Sequence, residues 1–210
     1  MSVKFQTIAM GSHIGVPPAH HTFAKQADGS DKLLVILPGY GYNNDFPVLY
    51  YLRKAALELG YDVLSVEYSF QAAYTNFDMN NVLDLLDEVK KAVASLSPQK
   101  YQHICIAGKS LGTILAVALA ECLSAKQIDL ILLTPLSGSV QMAHASPTLA
   151  IIGTADALHA QAAPDIVPTR PNLQWRVFEG LNHSLEVPDD WHASLAVLPE
   201  IIAACVEFLA

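Results

Sequence analysis

The hydrophobic positions of this chain change period several times, and each change marks an element. Leu33–Leu37 is an unbroken apolar run stopped by Pro38-Gly39, the pattern of a strand covered on both faces. Phe46 to Leu59 follows at helical spacing and stops at Gly60, and Val63–Val66 reads as a second strand. From Met79 the apolar residues fall at Val82, Leu83, Leu86, Val89, Val93 and Leu96, with Asp84, Asp87, Glu88, Lys90 and Lys91 between them. That spacing predicts an amphipathic helix lying on one face of a sheet. His103–Ala107 is a third strand, and Ser110–Leu123 a helix apolar on nearly every side. Leu130–Leu133, Leu149–Ile152 and Trp175–Phe178 are further strands. Asp189 or Asp190 caps a last helix through Leu195, Leu198, Ile202, Cys205 and Phe208.

Strands buried on both faces and joined by helical crossovers predict an α/β fold: a mostly parallel central sheet with helices on both sides, in three layers. Residues 1–30 carry no helix signal and read as an antiparallel edge hairpin or an irregular segment. With no repeat or linker in sight, residues 1–210 are expected to form one domain.

Composition narrows the function classes. A net charge of −8 argues against nucleic acid, which requires a basic face. The longest apolar runs are those of a strand or part of a helix, so no membrane partner is expected. The first residues lack the basic flank and apolar run of a signal peptide, which predicts a cytoplasmic protein. Cys105, Cys122 and Cys205 lie in apolar contexts and read as small buried residues of a reducing compartment. A hydrophobic fraction of 52% and a mean hydropathy of +0.31 allow a large core, and a monomer or homodimer.

Candidate chemistry centres on Gly108-Lys109-Ser110-Leu111-Gly112, at the switch from period 2 to period 3.6. A strand that turns abruptly into a helix holds the intervening residue in a strained conformation with its side chain projecting. Glycines two positions away on either side let neighbouring backbones come close. The hydroxyl then lies near a helix N-terminus, where N–H groups favour developing negative charge. By chance G-x-S-x-G arises in roughly 7 of 100 chains of this length. Its position between an apolar strand and an apolar helix therefore carries the reading, and the motif alone does not.

On these residues the chain resembles the α/β-hydrolases, with Ser110 as the nucleophile; the likeness runs from about Leu33 to the C-terminus in element order. The resemblance implies a Ser-His-Asp triad in the chain order serine, acid, histidine. No Asp or Glu lies between Leu130 and Ala155, so the acid falls on Asp156, just after the Leu149–Ile152 strand, with Asp165 as the fallback. Of the eight histidines, His183 follows the last strand, where the family places its base, and His159, one helical turn from Asp156, is the rival. By the same analogy the backbone amides of Leu111 and Tyr40 form the oxyanion hole, with Gly41 as the other choice to Tyr40. This chain has Pro38-Gly39 where the family often has His-Gly, which leaves the amides in place and puts their alignment in question.

Lys109 reads as a structural lysine reaching outward along its stem, or as a group that orients an anionic substrate. Tyr42, Tyr68, Phe70 and Trp191 are candidates to line an apolar substrate cleft, the aromatic loop after Val66 supplying two of them. Only Thr134 to Pro147 connects two strands where many relatives insert a lid, so no cap domain is expected, and the helix of that crossover is expected to be reduced. No phosphate loop, dinucleotide fingerprint or metal-ligand spacing is present, and acyl transfer by serine, imidazole and amides needs no cofactor. The expected function is hydrolysis of a carboxylic ester, thioester or related acyl bond of a small-molecule substrate through an acyl-enzyme. The alternatives are an acyltransferase using the same triad and a non-catalytic binding protein on the same fold.

Overall fold

The computed structural model describes residues 2–10, 19–158 and 170–210. Its centre is an eight-stranded sheet. In chain order the strands are β1 (Val3–Met10), β2 (Ala19–Gln26), β3 (Lys32–Leu37), β4 (Asp62–Ser65), β5 (His103–Lys109), β6 (Gln127–Leu133), β7 (Thr148–Gly153) and β8 (Leu173–Phe178). They lie side by side as β1-β2-β4-β3-β5-β6-β7-β8. From β4 to β8 every pairing is parallel, while β1 pairs with β2 and β2 with β4 antiparallel. The N-terminal segment is thus the antiparallel edge pair, one of the two arrangements the sequence allowed.

At the edge, β8 leaves Gln174, Arg176 and Val177 exposed. Both faces of the inner parallel strands are covered, and single strands show how. Leu33, Val35 and Leu37 of β3 join the core formed with α3 (Val82–Ala94) and α4 (Leu111–Cys122). Leu34 and Ile36 join the opposite core, with α1 (Pro47–Glu58) and α6 (Trp191–Leu209). Adjacent residues of one strand therefore serve different layers, which is why the run is apolar throughout. Two short α-helices are also present among the described residues: α2 (Ser69–Ala72) after β4, and α5 (Ser139–Met142) in the β6–β7 crossover. The crossover holds one helical turn, and no cap domain is evident among the described residues.

Three details depart from expectation. In α3 the buried residues are Leu85, Leu86, Val89, Ala92 and Val93, whereas Leu83 is 71% exposed, so Leu85 takes the place of Leu83 in the buried stripe. Cys122, at the end of α4, is exposed, while Cys105 and Cys205 are buried. The third departure is α6, the one helix among the described residues that is long and apolar enough to cross a membrane, at 19 residues and a mean hydropathy of 1.6. Its polar residues, from His192 to Glu207, break the apolar runs and hid this property in the sequence. It lies along α1 and β7, with Ile201, Ala204, Cys205 and Leu209 buried.

Candidate active site

The carboxyl ends of β5, β7 and β8 and the loop after β3 converge at one end of the sheet. Ser110, between β5 and α4, has φ 52° and ψ −113°, a conformation that costs a non-glycine residue energy and that this junction imposes. The flanking glycines show how tight the junction is. A Cβ on Gly108 would stand 2.3 Å from the carbonyl oxygen of Gly112, and one on Gly112 would stand 2.2 Å from that of Leu37. Only hydrogen at both positions lets the first turn of α4 sit against the ends of β3 and β5. The Ser110 amide donates to Leu133 O, and Ser110 O accepts from the amide and hydroxyl of Thr113, so the serine backbone is held from both sides.

His183 lies in the loop after β8. Its Nε2 is 2.8 Å from Ser110 Oγ, and its Nδ1 is 2.8 Å from Asp156 Oδ2. A carboxylate at Nδ1 fixes the ring proton there and leaves Nε2 as the acceptor for the serine hydroxyl. Asp156 follows β7, its carboxylate fully enclosed, and its other oxygen accepts from the Leu158 amide. The loop bearing His183 is clamped to β7, because a Cβ on Gly153 would meet Leu181 O at 2.1 Å, and the Ala155 amide donates to that same oxygen. The His183 side chain is 37% exposed, so the site faces solvent. The structure thus brings Ser110, His183 and Asp156 into one hydrogen-bonded line; the rivals His159 and Asp165 lie outside the described residues.

The loop after β3 passes beside Ser110: a Cβ on Gly39 would be 3.4 Å from Ser110 Cβ. Three carbonyls of that loop are held from behind. Tyr68 Oη donates to Pro38 O at 2.9 Å, and Gln71 Nε2 donates to Gly39 O at 2.8 Å and to Tyr40 O at 3.3 Å. Because a trans peptide sets C=O and N–H in opposite directions, anchoring Gly39 O turns the Tyr40 amide away from Gln71. The Leu111 amide opens α4 and has no intrahelical carbonyl to pair with. Gln71 was not singled out in the sequence, since a lone glutamine in a loop carries no periodic or motif signal.

The aromatic candidates separate into two groups. Tyr68 and Phe70 are buried and stack behind the β3 loop, Phe70 lying 5.5 Å from Tyr40 and 4.9 Å from Phe77 between ring centres, so they support the loop, and Phe70 also borders a small cavity of about 40 Å³. Tyr42 and Trp191 instead border a cavity of about 520 Å³, together with Leu185, Glu186, Val187 and Leu195. Tyr42 is buried with its hydroxyl accepting from the Val48 amide, and Trp191 is 65% exposed.

Lys109 differs most from its sequence reading. It does not reach outward: the side chain is fully buried, with Nζ donating to Thr134 Oγ1 and to His183 O. Burial lowers its pKa to about 7, against the opposing pull of Asp156 and Glu186. Among the described residues no group of three or more His, Cys, Asp or Glu side chains is arranged to hold a metal ion.

No protein-family model matches this sequence, and no curated protein does. Solved structures match over nearly the whole chain. An α/β serine hydrolase homologue from Coxiella burnetii superposes with a TM-score of 0.69 at 16% identity, covering 98% of this chain and 97% of its own. A serine hydrolase without a lid from Xanthomonas campestris gives 0.65 at 17% identity, covering 98% and 95%. An esterase from Pyrococcus furiosus gives 0.69 at 19% identity, covering 98% and 91%. At these identities the likeness shows the fold: this chain has the α/β-hydrolase fold.

Proposed function

We propose that this chain, built on the α/β-hydrolase fold, is a serine hydrolase that cleaves a carboxylic ester or thioester of a small molecule through an acyl-enzyme. The observation that carries the reading is the line from Ser110 Oγ through His183 to Asp156, with both links at 2.8 Å and the serine at a positive φ on a strand–helix turn. A pure binding site needs neither the ordered line nor the strain.

In the proposed reaction His183 Nε2 takes the Ser110 proton as Oγ attacks the acyl carbonyl. The carbonyl oxygen becomes an oxyanion, held by the amides of Leu111 and Tyr40, while Asp156 stabilises the imidazolium. Collapse expels the leaving alcohol or thiol with the proton from Nε2. Water, deprotonated by the same nitrogen, then attacks the acyl-enzyme, and Ser110 leaves with its proton restored. The exposed flank of His183 admits water, which favours hydrolysis over transfer to another acceptor. The reduced β6–β7 crossover fits a short substrate.

The test is turnover of 4-nitrophenyl acetate and butyrate and of the corresponding thioesters, by the wild type and by Ser110→Ala. The reading predicts a loss of about 10³-fold or more in the variant with its fold unchanged. Equal rates in the two proteins would exclude Ser110 as the nucleophile.

A further inference from the structure

A strand end beside a nucleophile does not itself call for a lysine, yet Lys109 is fully buried there. An ammonium withdrawn from water is tolerated only where partners replace the lost solvent. Here Nζ donates to Thr134 Oγ1 and to His183 O, both at 2.5 Å, and stands 4.9 Å from the centre of the Tyr42 ring. Three separate segments therefore meet on one amine: the end of β6 through Thr134, the loop after β8 through His183, and the loop after β3 through Tyr42. Thr134 is itself pinned, at φ 44° with its amide donating to Ile151 O at 2.7 Å, so it gives the amine a fixed footing in the sheet.

The His183 loop needs such a tie. The loop is clamped to β7 at Leu181 and held at Gly180 by Thr154 Oγ1 and at Val187 by Ser194 Oγ, but between these points its bonds are internal: Asn182 Oδ1 accepts from the amides of Ser184 and Glu186, and the Asn182 amide donates to Glu186 O. Asp156 fixes the rotation of the imidazole but not the backbone that carries it. A methionine would fill the volume of Lys109 with no charge to desolvate. What the amine adds is a donor to the one carbonyl whose position sets where the ring stands. A neutral amine still has two N–H donors for these two acceptors, so the tie survives loss of the proton near neutral pH.

We infer that Lys109 is a positioning residue for the general base, holding the His183 backbone so that Nε2 stays within hydrogen-bond reach of Ser110 Oγ through the reaction. The inference rests on the hydrolase reading above. Lys109 does not touch the serine hydroxyl, and it acts only through His183.

The experiment is covalent labelling of Ser110 by a fluorophosphonate, resolved into probe affinity and maximal labelling rate, with the melting temperature recorded beside it. Wild type, Lys109→Met, Thr134→Val and the double variant are compared. The assignment predicts that Lys109→Met lowers the maximal rate about 10²-fold, the scale of a 1 Å misplacement, with probe affinity within about twofold. Its melting temperature stays at or above the wild-type value, because a buried charge has been replaced by a well-fitting apolar group. Thr134→Val lowers the rate less, and adds nothing in the Lys109→Met background. A Lys109→Met protein that labels at the wild-type rate, or slows only in proportion to a lost folded fraction, overturns the assignment. If that variant does not fold, Thr134→Val decides alone: slower labelling of fully folded protein supports the tie, and an unchanged rate overturns it. A wild type that is not labelled removes the hydrolase reading and this assignment together, whereas a labelled wild type with an unaffected Lys109→Met removes only the assignment.

Discussion

Gly112 and Leu37 meet backbone to backbone: a Cβ on the glycine would lie 2.2 Å from the carbonyl oxygen of the leucine. The first turn of α4 thus rests directly on the end of β3, and this contact sets the distance between Ser110 and the loop that follows β3.

Gly112→Ala is accordingly expected to cost about 3 kcal/mol or more, since neither backbone segment can shift without moving the serine. Gly41→Ala, where an added Cβ meets nothing within 4 Å, serves as the control and is expected to stay within about 0.5 kcal/mol of wild type. Urea denaturation of the two variants measures the difference. A Gly112→Ala protein as stable as Gly41→Ala would show that the junction has slack the structure does not reveal.

Replacing Asp156 by Asn keeps the shape of the site but reverses the tautomer preference at His183 Nδ1. Ester turnover is expected to fall by about 10²–10⁴-fold, and by no more than the loss in Ser110→Ala. Adding Asp156→Asn to Ser110→Ala is expected to change nothing further, because the three groups act as a unit. Independent, multiplying losses would contradict the hydrogen-bonded line.

Gln71 and Tyr68 hold the carbonyls of the loop after β3, so their removal acts on the transition state more than on binding. Gln71→Ala is expected to lower kcat about tenfold to a hundredfold with KM within about twofold, and Tyr68→Phe to lower it less, since Gln71 still anchors two carbonyls. A rise in KM at constant kcat would place Gln71 in substrate binding instead.

How much of this could be read from the chain follows from what each residue depends on. The α/β class and the strand–helix turn at Ser110 are local properties, written in apolar runs, a change of period and two glycines. Asp156 and His183 were nameable because each stands just past a strand, where the resemblance to the α/β-hydrolases implies the acid and the base. Gln71 and Lys109 were not legible in the same way. Gln71 matters only because α2 folds back against the loop after β3. Lys109 is buried only because Thr134 and His183 arrive from 25 and 74 residues away to accept its hydrogen bonds. The aromatic residues were not placed by the sequence for a related reason: aromatic content marks a loop as sticky, and only tertiary packing, which buries Tyr68 and Phe70 here, decides which way the rings face.

His21 gives the fold a sensitivity to acid. The side chain is buried, Nδ1 accepts from the Glu67 amide, and Nε2 has no hydrogen-bond partner among the described residues. Burial lowers its pKa to about 4 despite the opposing charge of Glu88, with His20 adding to the lowering. Between pH 4 and 6.5 the unfolded chain therefore binds a proton that the folded chain does not. Stability from this group is fully present above pH 6.5 and is lost as pH falls towards 4, to the extent of about 3 kcal/mol. Urea titrations of wild type and His21→Gln between pH 7 and 4 are expected to converge or cross as pH falls. Parallel curves would mean that His21 takes up its proton in the folded state.

The most direct measurement is the site of covalent labelling by a fluorophosphonate, read by peptide mass spectrometry on the folded protein. The account predicts a single adduct on Ser110, absent from Ser110→Ala and strongly slowed in His183→Ala. Folded wild-type protein left unlabelled, or labelled on another residue at an equal rate in Ser110→Ala, would contradict an activated serine at this site.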